Sequence, residues 1–438
     1  MNTPESAAPT APSLVTAPVA EPTPTALFRQ NLRPRRGFVF FLVLAMVGAA
    51  AAQMSAALLT LTLKATEIDA ATATTTISIS SGIAGVLTLI ALPVFGTLSD
   101  RSRSKFGRRR PFLVLGAIAF AVGAVLLVTA PNVPVFVLAH LLITTGFVIA
   151  SVTVIALLTD QLPADRRGVA TALTSMATPI GALFGMAVSV PFGAQLVPLV
   201  GIPTALAVVG MLLLALVVHD PKFDFPQPRF DFGSLVKMFW VNPIAHPSFA
   251  WIFTSRMLVF SGVAALNGYQ AIYLLQKLHL DPAGLGGSIL LTVVVNLGAT
   301  LLAAPAIGKL SDKLGVRKPF VLIAAVILAV GLVLASNAPD FGFYLVACAV
   351  VGLGQGVYFS VELVLATQVL PDPDNPAKDL GILKIADNLP VTIVAAIAPA
   401  LLAIGAGAAG PNFSALFIAG ALAATAGGLV ILFVRSAR

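Results

Sequence analysis

Twelve apolar runs, each long enough to cross a bilayer, follow one another almost without pause between residues 37 and 434. They fall near 37–63, 75–97, 111–130, 133–159, 167–191, 196–218, 248–276, 284–307, 319–338, 340–370, 380–404 and 412–434. About 20 apolar residues span the hydrocarbon core as a helix, and lipid leaves the backbone no other open-ended way to satisfy its hydrogen bonds. The fold class expected is therefore an all-α membrane protein. Composition closes the alternative: with 58% hydrophobic and 10% charged residues there is too little charge to cover a water-facing surface. A soluble globular enzyme is excluded.

The net charge of +8 has a positional explanation. If the N-terminus lies inside, twenty-two of the 26 lysines and arginines fall on the cytoplasmic side, and only Lys64 and Lys277 fall outside. That bias is the positive-inside rule, not the footprint of a nucleic acid. An even number of spans puts both termini in the cytoplasm, as for a multi-pass protein of the plasma or inner membrane. The single cysteine, Cys348, excludes an intrachain disulfide and reads as a small buried hydrophobe.

Residues 1–30, rich in Pro, Ala, Thr and Ser, read as a disordered cytoplasmic tail. A six-helix bundle is expected over 31–218, a cytoplasmic central loop over 219–247 and a second bundle over 248–438. The halves echo one another: Pro93-Val-Phe-Gly96-Thr-Leu98-Ser99-Asp100 and Pro305-Ala-Ile-Gly308-Lys-Leu310-Ser311-Asp312 align at a constant offset of 212 residues. A second echo pairs Gln161-Leu162-Pro163 with Val369-Leu370-Pro371. Repeated halves are a transporter architecture with the substrate site between them near the midplane.

The first inner loop runs Gly96-Thr97-Leu98-Ser99-Asp100-Arg101 and on through Gly107-Arg108-Arg109-Arg110-Pro111-Phe112. It resembles the loop signature of the major facilitator superfamily, with a weaker copy from Gly308 to Lys318. Its long form, S-D-R-x-x-S-[RK]-F-G-R-R-R-P-F, is similar to that of the glycoside-pentoside-hexuronide and sucrose:proton symporters. The resemblance implies two pseudo-symmetric six-helix bundles and a gating role for Gly96, Asp100, Arg101, Gly107, Arg108, Arg109, Asp160 and Asp312, with Asp100 facing the start of the eleventh helix. Physically, the glycine permits close helix approach and the arginines can pair with Asp160 or Asp165, giving a latch that is made in one state and broken in another. The plainer reading is that the arginines anchor topology and bind anionic headgroups.

Four charges fall inside apolar runs: Arg256, Glu362, Lys384 and Asp387. Each costs roughly 2.5–3.5 kcal/mol on insertion scales unless paired or hydrated, so each is a functional candidate. Arg256, Glu362 and Asp387 all lie roughly 12–13 Å from the inner helix ends at 1.5 Å per residue. Either Glu362 or Asp387 can carry a coupled proton while pairing with Arg256 or Lys384 switches; the alternative is a permanent structural salt bridge in each pair. Polar stripes add Asn267 and Gln270 on helix seven, Gln355 and Tyr358 on helix ten, His140 with Thr144 and Ser151 on helix four, and Asn388 on helix eleven. In the superfamily, helices one, four, seven and ten line the cavity, so these residues with Gln53 form the expected saccharide-facing set. The plant sucrose carriers carry functional charges on helices four and eight, which here have none before their inner ends.

The function expected is secondary active transport by alternating access, as a proton-coupled sugar or glycoside symporter. The rivals are a drug or metabolite efflux antiporter and a non-transporting receptor or scaffold. No enzymatic motif occurs in a suitable context, no metal or organic cofactor is called for, and a functional monomer in the lipid bilayer is expected.

Overall fold

The computed structural model describes residues 35–220, 241–371, 376–406 and 410–435. The tail expected over 1–30 and most of the 219–247 connection lie outside them. The described residues build twelve spans: α1 Phe38–Ile68, α2 Ala73–Arg101, α3 Arg110–Thr129, α4 Val133–Gln161, α5 Arg166–Phe192, α6 Leu196–Val217, α7 Pro247–Gln276, α8 Pro282–Leu314, α9 Lys318–Ser336, α10 Phe341–Thr367, α11 Gly381–Ala403 and α12 Phe413–Phe433. The helix of α11 itself begins at Pro376.

Local sequence explains where several helices start. Asn132, Asp340 and Asn412 each accept a hydrogen bond from the backbone N–H three residues on, and Asp281 accepts from Ala283 just before Pro282. These are N-caps, and proline in the first turn sacrifices only an N–H that has no helical partner. Where the helices end is less visible in hydropathy. α2 continues to Arg101 and α8 to Leu314, so the first half of each loop signature is helical and projects beyond the apolar run. The backbone ladder does not stop where the side chains turn polar.

Packing obeys the sequence duplication. In the first half α1 lies on α5 and α6, α3 on α4 and α6, and α2 on α4; six helices on, α7 lies on α11 and α12, α9 on α10 and α12, and α8 on α10. The two largest contacts that join the halves, α2 with α11 and α5 with α8, also exchange under the same six-helix shift. The Gly352-Leu-Gly354-Gln-Gly356 run serves close approach: a Cβ on Gly356 would lie 2.5 Å from the Thr300 carbonyl of α8. Small residues at such crossings let membrane helices gain van der Waals contact.

The halves are pressed together at the end remote from the basic loops. There the Ser78 and Tyr269 hydroxyls hydrogen-bond at 2.7 Å and Gly286 abuts Ser189, while Gly85 abuts Thr392 nearer mid-helix.

Candidate functional site

At the basic end, Arg109 organises the loop between α2 and α3. Its guanidinium donates to Ser99 Oγ at 2.7 Å, Asp100 Oδ1 at 2.5 Å and Asp160 Oδ2 at 3.0 Å, while Arg108 donates to the same Asp160 oxygen at 2.5 Å. Arg108, Arg109 and Asp160 are buried. Asp220, at the end of α6, accepts from the N–H groups of Arg109 and Arg110 at 2.5 and 2.9 Å, and so caps α3. Gly107 makes this possible with φ +103° and its Cα tight against Asp220, a place no side chain can occupy. Gly96 faces Val152 of α4, and Arg101 is half-buried. Asp100 pairs with Arg109 of its own half and is 60% exposed. In the second half, Asp312 meets Arg317 at 3.1 Å near the surface.

Deeper in the second half, four charges form one alternating chain. Arg256 Nε donates to Asp387 Oδ1 at 2.5 Å, and its Nη1 donates to Glu362 Oε2. Lys384 Nζ then donates to Asp387 Oδ2 at 3.1 Å. The pairs expected from sequence, Arg256 with Glu362 and Lys384 with Asp387, are both present, but the Arg256–Asp387 contact fuses them. Three elements contribute: α7, α10 and α11. Lys384 is a correction, because its side chain is 74% exposed and not buried. Hydropathy places a residue along a helix axis and is blind to whether its face meets lipid or an opening. Both oxygens of Asp387 are engaged, whereas Glu362 Oε1 is buried with no hydrogen-bond partner among the described residues. The Arg256 guanidinium also lies 5.4 Å from the Phe260 ring centroid, a favourable cation–π distance.

Above this chain, between the halves, lies a cavity of about 330 Å³. Gln53, His140 and Thr144 line it from the first half, and Asn267, Asp387 and Asn388 from the second, with Phe147 and Phe260 as apolar walls. His140 Nδ1 is 2.6 Å from Ser80 Oγ, which orients the ring. Gln53 Oε1 and Thr144 Oγ1 are buried without partners among the described residues, so the wall holds unused hydrogen-bonding capacity. A larger hollow of about 580 Å³ opens between the far ends of the helices, but the buried charges do not border it.

Three expected cavity residues are elsewhere. Gln270 turns to α8, where its Oε1 accepts from Thr292 Oγ1 at 3.3 Å; three residues beyond Asn267, it is rotated about 60° around the helix. Gln355 and Tyr358 do not line the cavity, and the Tyr358 ring packs edge-on to Phe260 at 6.1 Å. The cavity walls are α1, α2, α4, α7 and α11, so α2 and α11 take the place expected for α10. Ser80, Phe260 and Asp220 were not singled out in the sequence; only Asp220, a carboxylate at the inner end of the sixth apolar run and so on the same membrane side as the arginine-rich loop, left a usable signal.

The Major Facilitator Superfamily model matches residues 37–301 and 252–438. The chain belongs to the major facilitator superfamily. Among relatives from Bacillus subtilis (strain 168), the uncharacterized MFS-type transporter YddS is 26% identical over 328 residues, 68% of this chain and 71% of its own length. The uncharacterized symporter YnaJ is 43% identical over 47 residues, a match spanning 11% of this chain and 10% of YnaJ. Among solved structures, the nucleoside transporter NupG has a TM-score of 0.72 at 12% identity, covering 91% of this chain and 98% of that one. A D-xylose-proton symporter has a TM-score of 0.64 at 17% identity with the same coverage. At these identities the structures speak for the fold: this superfamily member has the fold of a multi-pass membrane transporter.

Proposed function

We propose that the protein is a proton-coupled secondary transporter that moves a small hydroxylated solute, a sugar or glycoside, by alternating access. The observation that carries this reading is Glu362: its Oε2 is held by Arg256 while its Oε1, buried, has no partner. A buried carboxylate with one oxygen unsatisfied is a costly resting state, and a proton arriving there relieves the cost at a group already tied to the cavity through Arg256 and Asp387. The neutral amide, hydroxyl and imidazole groups of Gln53, Thr144, Asn267 and His140 suit a polyol, and the aromatic walls suit the apolar face of a ring.

With the basic end taken as cytoplasmic, as its lysines and arginines argue, the seal at Ser78 and Tyr269 is the outer one and the arrangement faces inward. The latch around Arg109 then belongs to the inner gate, Asp100 being free to change partner when the halves close on that side. Both termini are cytoplasmic in this reading, and the unit of function is the monomer.

Reconstitution into vesicles and uptake of a labelled saccharide panel, with and without an imposed proton gradient, tests the proposal. Accumulation above equilibrium only with the gradient is expected. Flux that ignores the gradient, or none for any saccharide, defeats it.

A further inference from the structure

Ser80 of α2 and His140 of α4 are both buried, and the Ser80 hydroxyl lies 2.6 Å from His140 Nδ1. Hydrogen-bond accounting decides which of the two donates. Ser78, two residues earlier, gives its hydroxyl proton to the Thr74 carbonyl one turn back. Ser80 makes no such bond, and His140 Nδ1 is its one partner among the described residues. If Nδ1 carried a proton, the Ser80 oxygen would accept it and the Ser80 hydroxyl proton would be buried with no acceptor, a penalty comparable to a lost hydrogen bond. Ser80 therefore donates, Nδ1 accepts, and the proton of the neutral ring sits on Nε2.

His140 borders the cavity, so with Nδ1 pinned to Ser80 the Nε2–H is the polar edge it has left for a solute. Its neighbours in the lining are less committed. The amides of Gln53 and Asn267 exchange donor for acceptor by a half-turn, and the Thr144 hydroxyl rotates to suit. His140 cannot do either while Ser80 holds it. Because α2 packs on α4 within the first half, the lock travels with that half through an alternating-access cycle.

We infer that Ser80 is a positioning residue that fixes His140 as a permanent N–H donor to the cavity, and that the solute is read there through an acceptor oxygen. This rests on the transporter reading above and adds a rule of selection to it. A hydroxyl, ether or carbonyl oxygen satisfies Nε2–H, whereas a group that can only donate meets a donor and is disfavoured.

Nitrogen NMR of the full chain in nanodiscs, isotope-labelled in its histidine rings, tests the lock without any solute. His140→Gln identifies the signals of position 140 among the four histidines. A protonated Nε2 beside a bare, hydrogen-bonded Nδ1 is expected in wild type, and loss of that single form in Ser80→Ala. A protonated Nδ1 in wild type, or a tautomer that ignores Ser80→Ala, would overturn the inference. Uptake of labelled D-xylose and D-glucose into proteoliposomes, with each variant first shown to be monodisperse, reads the consequence. His140→Gln, whose amide reaches the place of Nε2, should keep KM within about twofold of wild type. His140→Asn, whose amide reaches only as far as Nδ1, should raise KM about tenfold with little change in maximal rate. Ser80→Ala should raise KM about threefold, since only the rings in the competent tautomer then bind, and should add nothing in the His140→Gln background. Equal losses from Ser80→Ala in both backgrounds, or equal impairment by Gln and Asn, would overturn the inference. Failure of both sugars to move in wild type, with the NMR signature intact, would defeat the sugar reading and leave this inference standing. Normal sugar uptake without the signature would do the reverse.

Discussion

Arg256 is the residue on which the second half turns, since among the described residues it alone bonds to both Glu362 and Asp387. Replacing it with Gln leaves two carboxylates facing each other without their shared cation. Losing one partner of a buried ion pair typically costs about 3–5 kcal/mol, so Arg256→Gln is expected to lower the melting temperature in detergent far more than Glu362→Gln, which removes a charge that is itself unsatisfied at one oxygen. Equal shifts for the two variants would speak against this hierarchy. Asp220 makes a smaller claim: as the cap of α3, its replacement by Ala should cost about 1 kcal/mol, readable in the same melts. Arg256, Glu362 and Asp387 were legible in the sequence because a charge inside an apolar run has few explanations. The exposure of Lys384 was not, because it depends on where the second helix bundle leaves an opening.

At the scale of elements, the spans were legible to within a few residues because bilayer thickness dictates their length. What hydropathy could not show is where a helix departs from α geometry. In α1 the turn Ala56–Thr60 is a π-helix although it contains neither Gly nor Pro, and α5 is broken near Met176 and Val188. Such local windings follow from neighbouring helices, here the packing of α1 against α5, α6 and α7. The exchange of α10 for α2 and α11 in the cavity wall has a similar origin, since the halves tilt together at one end and bring α2 and α11 into contact. The buried Ser78–Tyr269 hydrogen bond belongs to that seal. Tyr269→Phe removes a bond worth about 1 kcal/mol, which corresponds to about a fivefold shift of the closed–open balance. A cysteine at Asn267, labelled from the sealed side with an impermeant maleimide, should therefore react about fivefold faster in that background. Native Cys348 is 2% exposed and leaves the assay a quiet background. Unchanged labelling would mean that apolar contact alone holds the seal.

For the whole molecule, the contact pattern that repeats six helices on makes two rigid halves the natural moving parts, with α2–α11 and α5–α8 as the surfaces that exchange. The chemistry is unequally divided: the first half supplies neutral hydrogen-bonding groups to the cavity, and the second supplies the charge chain. That asymmetry was visible in the sequence as charges inside apolar runs confined to one half of a duplicated chain. It implies that proton uptake and solute recognition can be separated by mutation. Glutamine at position 362 imitates the protonated acid permanently, so a loaded carrier should still cross while the empty, deprotonated return is lost. The decisive measurement is transport by Glu362→Gln in vesicles, comparing gradient-driven accumulation with one-for-one solute exchange. Accumulation falling to the equilibrium level while exchange persists is the result expected here. Undiminished proton-driven accumulation would contradict the account, because the proton would then travel by a group other than Glu362.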